Sequence, residues 1–177
     1  MQIKGVLAVT VLVLIASTSL MAQKKAAGKA AMTDQQFVEF AAQTDMVEAN
    51  LGQLASTAAS AQPVKDYGQM LMTDHTADMQ QLSTAAQKAG LNVPNAIDSE
   101  HNKTMIDPFQ KLKGTAFDRR YIQEMITGHT KAIEIYKKEA ADAQSPDLKS
   151  YAQEALPTLQ KHLSGAKDLE KTKGATK

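Results

Sequence analysis

The sequence predicts an all-α fold, an antiparallel four-helix bundle made of two hairpins. Three observations predict it. Beyond residue 22 the chain is rich in Ala, Gln, Lys, Leu and Met, residues with high helix propensity. Period-two alternation and β-branched runs are missing there, so strands have no signal. Four long stretches carry apolar residues at alternating steps of three and four, the stripe of a helix that buries one face.

The N-terminal segment comes first. MQIKGVLAVTVLVLIASTSLMA has Lys4 at its start, an apolar run from Val6 to Ile15 and small residues from Ser17 to Ala22. This is the pattern of a secretory signal peptide over residues 1–22, with cleavage after Ala22. A retained N-terminal anchor is the competing reading, because the apolar run extends toward Leu20. Residues 23–32 read as a disordered basic linker, and an exported, periplasmic or secreted protein follows. The chain has no Cys, which excludes a disulfide framework and a lipid-modified cysteine. Lys4 is one of 20 basic residues, so the rest of the chain balances 19 basic against 19 acidic. Such a balance argues against nucleic acid as a partner. The basic tails, with Lys24, Lys25 and Lys29 at one end and Lys171, Lys173 and Lys177 at the other, offer contact with the cell envelope. No segment after Ala22 is long and apolar enough to span a membrane as a helix.

The bundle domain is placed over residues 33–170, with a tail over 171–177. The first long helix runs from about Thr33, where TDQQ makes a capping box, to about Ala61. Its stripe is Phe37, Ala41, Thr44, Glu48, Leu51, Ala55 and Ala58. The second starts at Pro63, a good first-turn residue, and stops at Gly90. Its stripe is Val64, Gly68, Leu71, His75, Asp78, Leu82, Ala85 and Ala89. A crossover with Pro94, Pro108 and Gly114 follows, with short helices over Ser99–Ile106 and Pro108–Lys113. The third long helix starts at Thr115, with Asp118 as a second capping partner, and ends near Ala143. Its stripe is Ile122, Met125, His129, Ile133, Tyr136 and Ala140. The fourth takes Ser145 as cap and Pro146 in its first turn, and runs to about Glu170. Its stripe is Leu148, Ala152, Ala155, Leu159, His162, Ala166 and Leu169, with Pro157 inside it as a source of a kink. Short loops near Gln62 and Gln144 force two antiparallel hairpins. Two hairpins with one long crossover make the bundle ferritin-like rather than up-down-up-down.

Each stripe carries a polar residue able to bind a metal: Glu48, His75, His129 and His162. Glu48 and His75 are equally far in sequence from the first turn, about 20 Å along the axis at 1.5 Å per residue. His129 and His162 differ by two residues in their distance from the other turn, about 3 Å. All four therefore fall near mid-height, where bundles place metal sites. A dinuclear carboxylate site needs Glu-x-x-His on two helices plus two more Glu. Here Met72 and Leu159 stand three residues before His75 and His162, so that centre is excluded. One carboxylate and three imidazoles suit a single transition-metal ion such as Zn, Cu, Ni or Fe. Asp74 and Asp78 stand close enough on the second helix to orient ligands. The competing reading is metal-free: a buried network in which Glu48 bonds His75, and His129 bonds a Tyr or Asp. The His–Met pairs His75/Met79, His101/Met105 and Met125/His129, each one turn apart, add a soft copper(I) or silver reading, against which stands the ordinary use of Met as core filler. FDRRY at 117–121 reads as a cap with surface ion pairs, and Tyr67, Tyr121, Tyr136 and Tyr151 as core-edge residues. There is no nucleophile elbow, phosphate loop or HExxH motif.

The runs FVEFAAQTDMVEANLGQLA, VKDYGQMLMTDHTADMQQL, GTAFDRRYIQEMITGHTKAIEIYKKEA and LKSYAQEALPTLQKHLSGAKDL resemble one exported bacterial family, the ferritin-like domain of unknown function 4142. The resemblance covers about Thr33 to Leu169. Its motifs fall on Glu48, Asp74, His75, Phe117, Asp118, Tyr121, His129, Pro157 and His162. It implies the same bundle, and no established activity. Members are often labelled outer membrane proteins, a label that the residues after Ala22 oppose, since no alternating strands suggest a barrel. Three readings of function stay open. One is a non-enzymatic envelope binding or stress-related protein with a polar mid-bundle layer. The second is a single-metal (Zn, Cu or Fe) protein, or a metal-dependent oxidase or peroxidase using that layer. The third is a structural or interaction module of the envelope.

Overall fold

The computed structural model describes residues 32–174. The signal segment, most of the linker and residues 175–177 lie outside them. Four long helices make the bundle: α1 (Asp34–Ala58), α2 (Gln62–Lys88), α5 (Gly114–Asp142) and α6 (Pro146–Gly174). Between α2 and α5 the crossover carries α3 (Ser99–His101), a π-helical stretch over Asn102–Ile106, and α4 (Asp107–Gln110). The helix pairs α1–α2 and α5–α6 form the hairpins; α2 packs on α6 and α1 on α5. This is the all-α, ferritin-like bundle that the periodicity predicts. Among the described residues no helix is long and apolar enough to cross a membrane.

Several ends differ from the sequence reading. Helix α1 has the predicted capping box at Thr33 but stops at Ala58 rather than Ala61. Helix α6 continues to Gly174, and it is continuous through Pro157, whose ring faces solvent. Asp118 does not cap its own helix, whose N-cap residue, Lys113, makes no side-chain cap bond. Its carboxylate instead reaches the α1–α2 turn, accepting from Ser60 N at 3.0 Å, Ala61 N at 3.2 Å and Ser60 Oγ at 2.6 Å. Asp34 does the same for the α5–α6 turn, accepting from Gln144 N at 3.1 Å and Ser145 N at 2.7 Å. A helix entering each hairpin thus clasps the turn of the other.

One constant shift in residue number relates these two clasps. It carries Asp34 to Asp118, Ser60 to Gln144 and Ala61 to Ser145. The same shift carries Phe37 to Tyr121 and Tyr67 to Tyr151, and the ring pairs agree: Phe37–Tyr151 centroids lie 6.2 Å apart and Tyr67–Tyr121 centroids 6.3 Å. The two hairpins are structural repeats.

The crossover is held to α1 by two glutamines that face it. Gln35 donates to the Asn92 carbonyl and accepts from its N–H; Gln43 donates to the Ala96 carbonyl and accepts from Asp98 N. Glycine lets α1 and α2 approach closely: a Cβ on Gly52 would overlap the Gly68 carbonyl, and one on Gly68 would overlap the Ala55 side chain. The core is in two pieces. One, around Phe37, Leu82, Tyr136, Leu148 and Tyr151, fills the end near the α5–α6 turn. The other, around Leu51, Leu71, Phe109, Phe117 and Tyr121, fills the end near the α1–α2 turn. All four tyrosines are buried, inside these clusters rather than at their edge, because their rings meet others edge-on or tilted between the hairpins. A buried polar layer separates the two pieces.

Candidate metal centre

The layer holds Asp45 and Glu48 from α1, His75 from α2, His129 from α5 and His162 from α6, each with at most 6% of its side chain exposed. All four predicted stripe residues meet there. His75 Nε2 lies 2.9 Å from Glu48 Oε2, and His129 Nε2 lies 3.2 Å from the same oxygen. His129 Nε2 is 3.2 Å from His162 Nδ1. Ligand nitrogens of the three rings fall within 4.8 Å of one another.

The far side of each ring decides which nitrogen carries hydrogen. His75 Nδ1 faces Asp45 Oδ1 at 2.9 Å. His129 Nδ1 faces the Met125 carbonyl at 2.9 Å. His162 Nε2 faces Asp74 Oδ2 at 2.9 Å. All three partners accept, so the outward nitrogen donates, and in a neutral ring the inward one keeps its lone pair. Four acceptor atoms thus converge: three imidazole lone pairs and a carboxylate oxygen. Neither Glu48 Oε2 nor His75 Nε2 has a hydrogen bond of acceptable geometry. Buried acceptors in contact need a cation between them, either a proton or a metal ion.

Charge is distributed unevenly over the layer. Burial lowers His162 to about 4, against the bond to Asp74. Burial also lowers His129, only partly opposed by Glu48. Both rings are neutral at pH 7, as metal ligands must be. Burial pushes His75 down as well, but the Glu48 charge at 2.9 Å and the bond to Asp45 outweigh it and raise it to about 10. Burial would raise Glu48; the imidazoles of His129 and His75 reverse this and hold it at about 2. Without a metal, the proton therefore sits on His75.

The remaining acidic residues divide. Asp74 orients His162, as described. Asp78 accepts from Tyr151 OH at 2.7 Å, and Tyr151 meets Tyr136 OH at 3.1 Å. Burial also raises Asp78, against the bond from Tyr151. Burial raises Asp45 to about 7, against the bond to His75, and the nearby Asp78 charge adds to the rise. Asp45 was not among the sequence candidates. Its signal was its position three residues before Glu48, one turn away on the same face. His129 bonds the Met125 carbonyl where a Tyr or Asp was expected, because a ring directed back along its own helix reaches the carbonyl four residues earlier. The same bond answers the Met125/His129 pair with main-chain oxygen. His75 is engaged by Asp45 and Glu48, and His101 by Asp98 at the surface, so oxygen is the partner in the other two pairs also. In FDRRY, Arg120 makes the expected surface pair with Glu124 at 3.3 Å.

A four-helix bundle with a buried imidazole–carboxylate cluster at mid-height defines the class. A family model described as domain of unknown function (DUF4142) matches residues 19–169, and the chain belongs to that family. Among solved structures, the fold is similar to CopM in the Cu(II)-bound form, with a TM-score of 0.65 and 17% identity over 79% of this chain and 97% of that one. It is also similar to CopM in the Ag-bound form, obtained by co-crystallization, with a TM-score of 0.61 and 18% identity over 79% and 96% of the two chains. CopM in the Cu(I)-bound form matches with the same scores as the silver form. A search of curated proteins gives no match.

Proposed function

We propose that this protein binds one transition-metal ion at the centre of its bundle, as a non-enzymatic metal-binding protein of the exported fraction. Glu48 Oε2, His75 Nε2, His129 Nε2 and His162 Nδ1 are the ligands. Asp45, the Met125 carbonyl and Asp74 hold the three rings in the tautomer that ligation needs. One observation carries the reading: every imidazole is bonded on its outward nitrogen to an acceptor, so the three inward nitrogens turn toward the centre that Glu48 also faces, where one proton, on His75, is all that a metal must displace.

The donor set fits a metal. In a tetrahedral site with bonds of 2.0–2.1 Å, neighbouring ligand atoms stand about 3.3 Å apart; three of the separations here are 2.9, 3.2 and 3.2 Å, and the three rings offer nitrogens within 4.8 Å of one another. Imidazole with carboxylate suits Cu(II) and Zn(II), and Cu(II) is the tightest-bound of the divalent first-row ions. The copper-bound neighbours support that choice. Four protein ligands leave no open position, the mark of a holding site rather than a catalytic one. That counts against an oxidase or peroxidase. A bound metal would supply a fixed positive charge that satisfies all four acceptors.

The metal-free alternative also has an observation behind it. The 2.9 Å approach of His75 Nε2 to Glu48 Oε2 suits an imidazolium held between two carboxylates. It leaves the lone pairs of His129 and His162 facing each other. Elemental analysis of protein purified without chelator, beside a His75→Ala, His129→Ala double variant, separates the two. About one metal per chain, lost in the double variant, is the expected result. Failure of the wild-type protein to retain or take up Cu(II) or Zn(II) overturns the metal reading.

A further inference from the structure

The centre is closed on most sides, but one small cleft reaches it. It lies between α2 and α6 and is lined by Asp74, His75, Asp78, Ala155, Thr158, Leu159 and His162. Its volume, about 10 Å³, is near that of a single water-sized probe. His75 is 2% exposed and lines the cleft, and its Nε2 lies 2.9 Å from Glu48 Oε2 at the centre. Asp74 lines the same cleft with 30% of its side chain exposed, while His162, bonded to it, is 1% exposed. His162 thus joins solvent to site: its Nε2 faces the half-exposed Asp74 carboxylate and its Nδ1 faces His129.

We infer that this cleft is the port through which a divalent cation, shedding its water at the mouth, reaches the centre, with Asp74 and Asp78 receiving the ion and the His162 ring as the gate. The inference rests on the metal reading above. Two carboxylates at a narrow mouth concentrate cations there. Passage needs only the His162 ring to turn away from Asp74 and back. The wall that carries His162 can yield locally. Pro157 stands beside Thr158 on that wall and lacks the N–H that would bond the Gln153 carbonyl, so α6 is held by one backbone bond fewer at the port. The pairs Asp74/Asp78 and Thr158/His162 each lie one helical turn apart, so the mouth is a patch of four side chains facing across two helices.

Thr158 is exposed, which makes it the position to vary. Stopped-flow quenching of tyrosine fluorescence by Cu(II), in the full chain, reads the association rate directly. Thr158→Phe fills the mouth, and is expected to slow association and dissociation alike, about tenfold, with the equilibrium affinity unchanged. Thr158→Lys and Thr158→Glu change its charge. At low ionic strength the expected order of association rates is Glu, then Thr, then Lys, spanning about tenfold and converging as salt is raised. Thr84→Phe and Thr84→Lys, on an exposed part of α2 away from the cleft, are expected to leave the rates alone. Equal rates in all three Thr158 variants, with Cu(II) still bound, overturn the port and leave the metal reading standing. No Cu(II) binding by the wild-type protein overturns both.

Discussion

His75 joins the layer together: one nitrogen meets Asp45, the other Glu48, and both acids are buried. Removing the ring strands two carboxyl groups in the core. His75→Ala is therefore expected to lower stability by about 3 kcal/mol or more at pH 6, measured by urea denaturation. The pH dependence has a definite sign. His75 is raised from 6.5 to about 10, so the stability it contributes is full below pH 6.5 and is lost as pH rises through 10. Glu48 is lowered from 4.5 to about 2, so its contribution is full above pH 4.5 and is lost as pH falls through 2. The gap between wild type and His75→Ala should thus be widest between pH 4.5 and 6.5, and should narrow above pH 9. A gap that keeps growing above pH 9 would show that the ring is not held as an imidazolium. Metal binding has a matching signature. Since the ion displaces the His75 proton, about one proton should be released per Cu(II) bound at pH 7. Titration calorimetry in buffers of different ionisation enthalpy measures that number; zero would rule out a protonated His75 in the free protein.

At the scale of elements, the clasps matter more than the caps. Asp118 ties the start of α5 to the α1–α2 turn with three bonds, two of them to backbone N–H groups. Asp118→Ala leaves those donors without this acceptor and should cost about 2–3 kcal/mol, measured by thermal unfolding. Asp34→Ala loses two such bonds at a more exposed turn and should cost less. Equal costs would mean that burial of the clasp does not matter. Glu139 presents the opposite case. It is buried near the end of α5, and its Oε1 has no hydrogen-bond partner. Burial, with Asp34 and Asp142 nearby, raises it from 4.5 to about 7. A carboxyl raised in the folded state contributes stability below pH 4.5 that disappears as pH rises through 7. Glu139→Gln should therefore stabilise the protein by about 1 kcal/mol at pH 8, allowing for solvent near its edge, and change little at pH 4. A stability gain of equal size at pH 4 would refute the electrostatic account.

For the whole molecule, the polar layer and the repeat explain each other's limits. The shift that relates the hairpins carries Asp45 to His129 and Asp78 to His162, but Glu48 to Ala132 and His75 to Leu159. The halves share a frame and differ in ligands, so the bundle has one complete donor set and not two. A metal at that set would pin all four long helices at mid-height. Saturating Cu(II) or Zn(II) should raise the unfolding midpoint in proportion to the logarithm of free metal, and the rise should vanish in the His75→Ala, His129→Ala variant. A rise retained by the variant would place the binding elsewhere, on the surface.

The sequence by itself determined the class of fold, the two hairpins and the four stripe residues, because those follow from local quantities. Periodicity sets which face is buried, glycine and proline set the turns, and 1.5 Å per residue sets height along the axis. Glu48, His75, His129 and His162 could therefore be placed at one level without coordinates. Only the tertiary structure decided their partners. Whether Asp118 caps its own helix or another hairpin's turn depends on a neighbour nearly 60 positions away. Asp45 shares a face with Glu48, but a step of three or of four back from Glu48 reaches Asp45 or Thr44, and packing of α2 against α1 decided between them. The tautomers, the converging lone pairs and the cleft beside His162 are likewise distances between helices, and a sequence states no distance between helices.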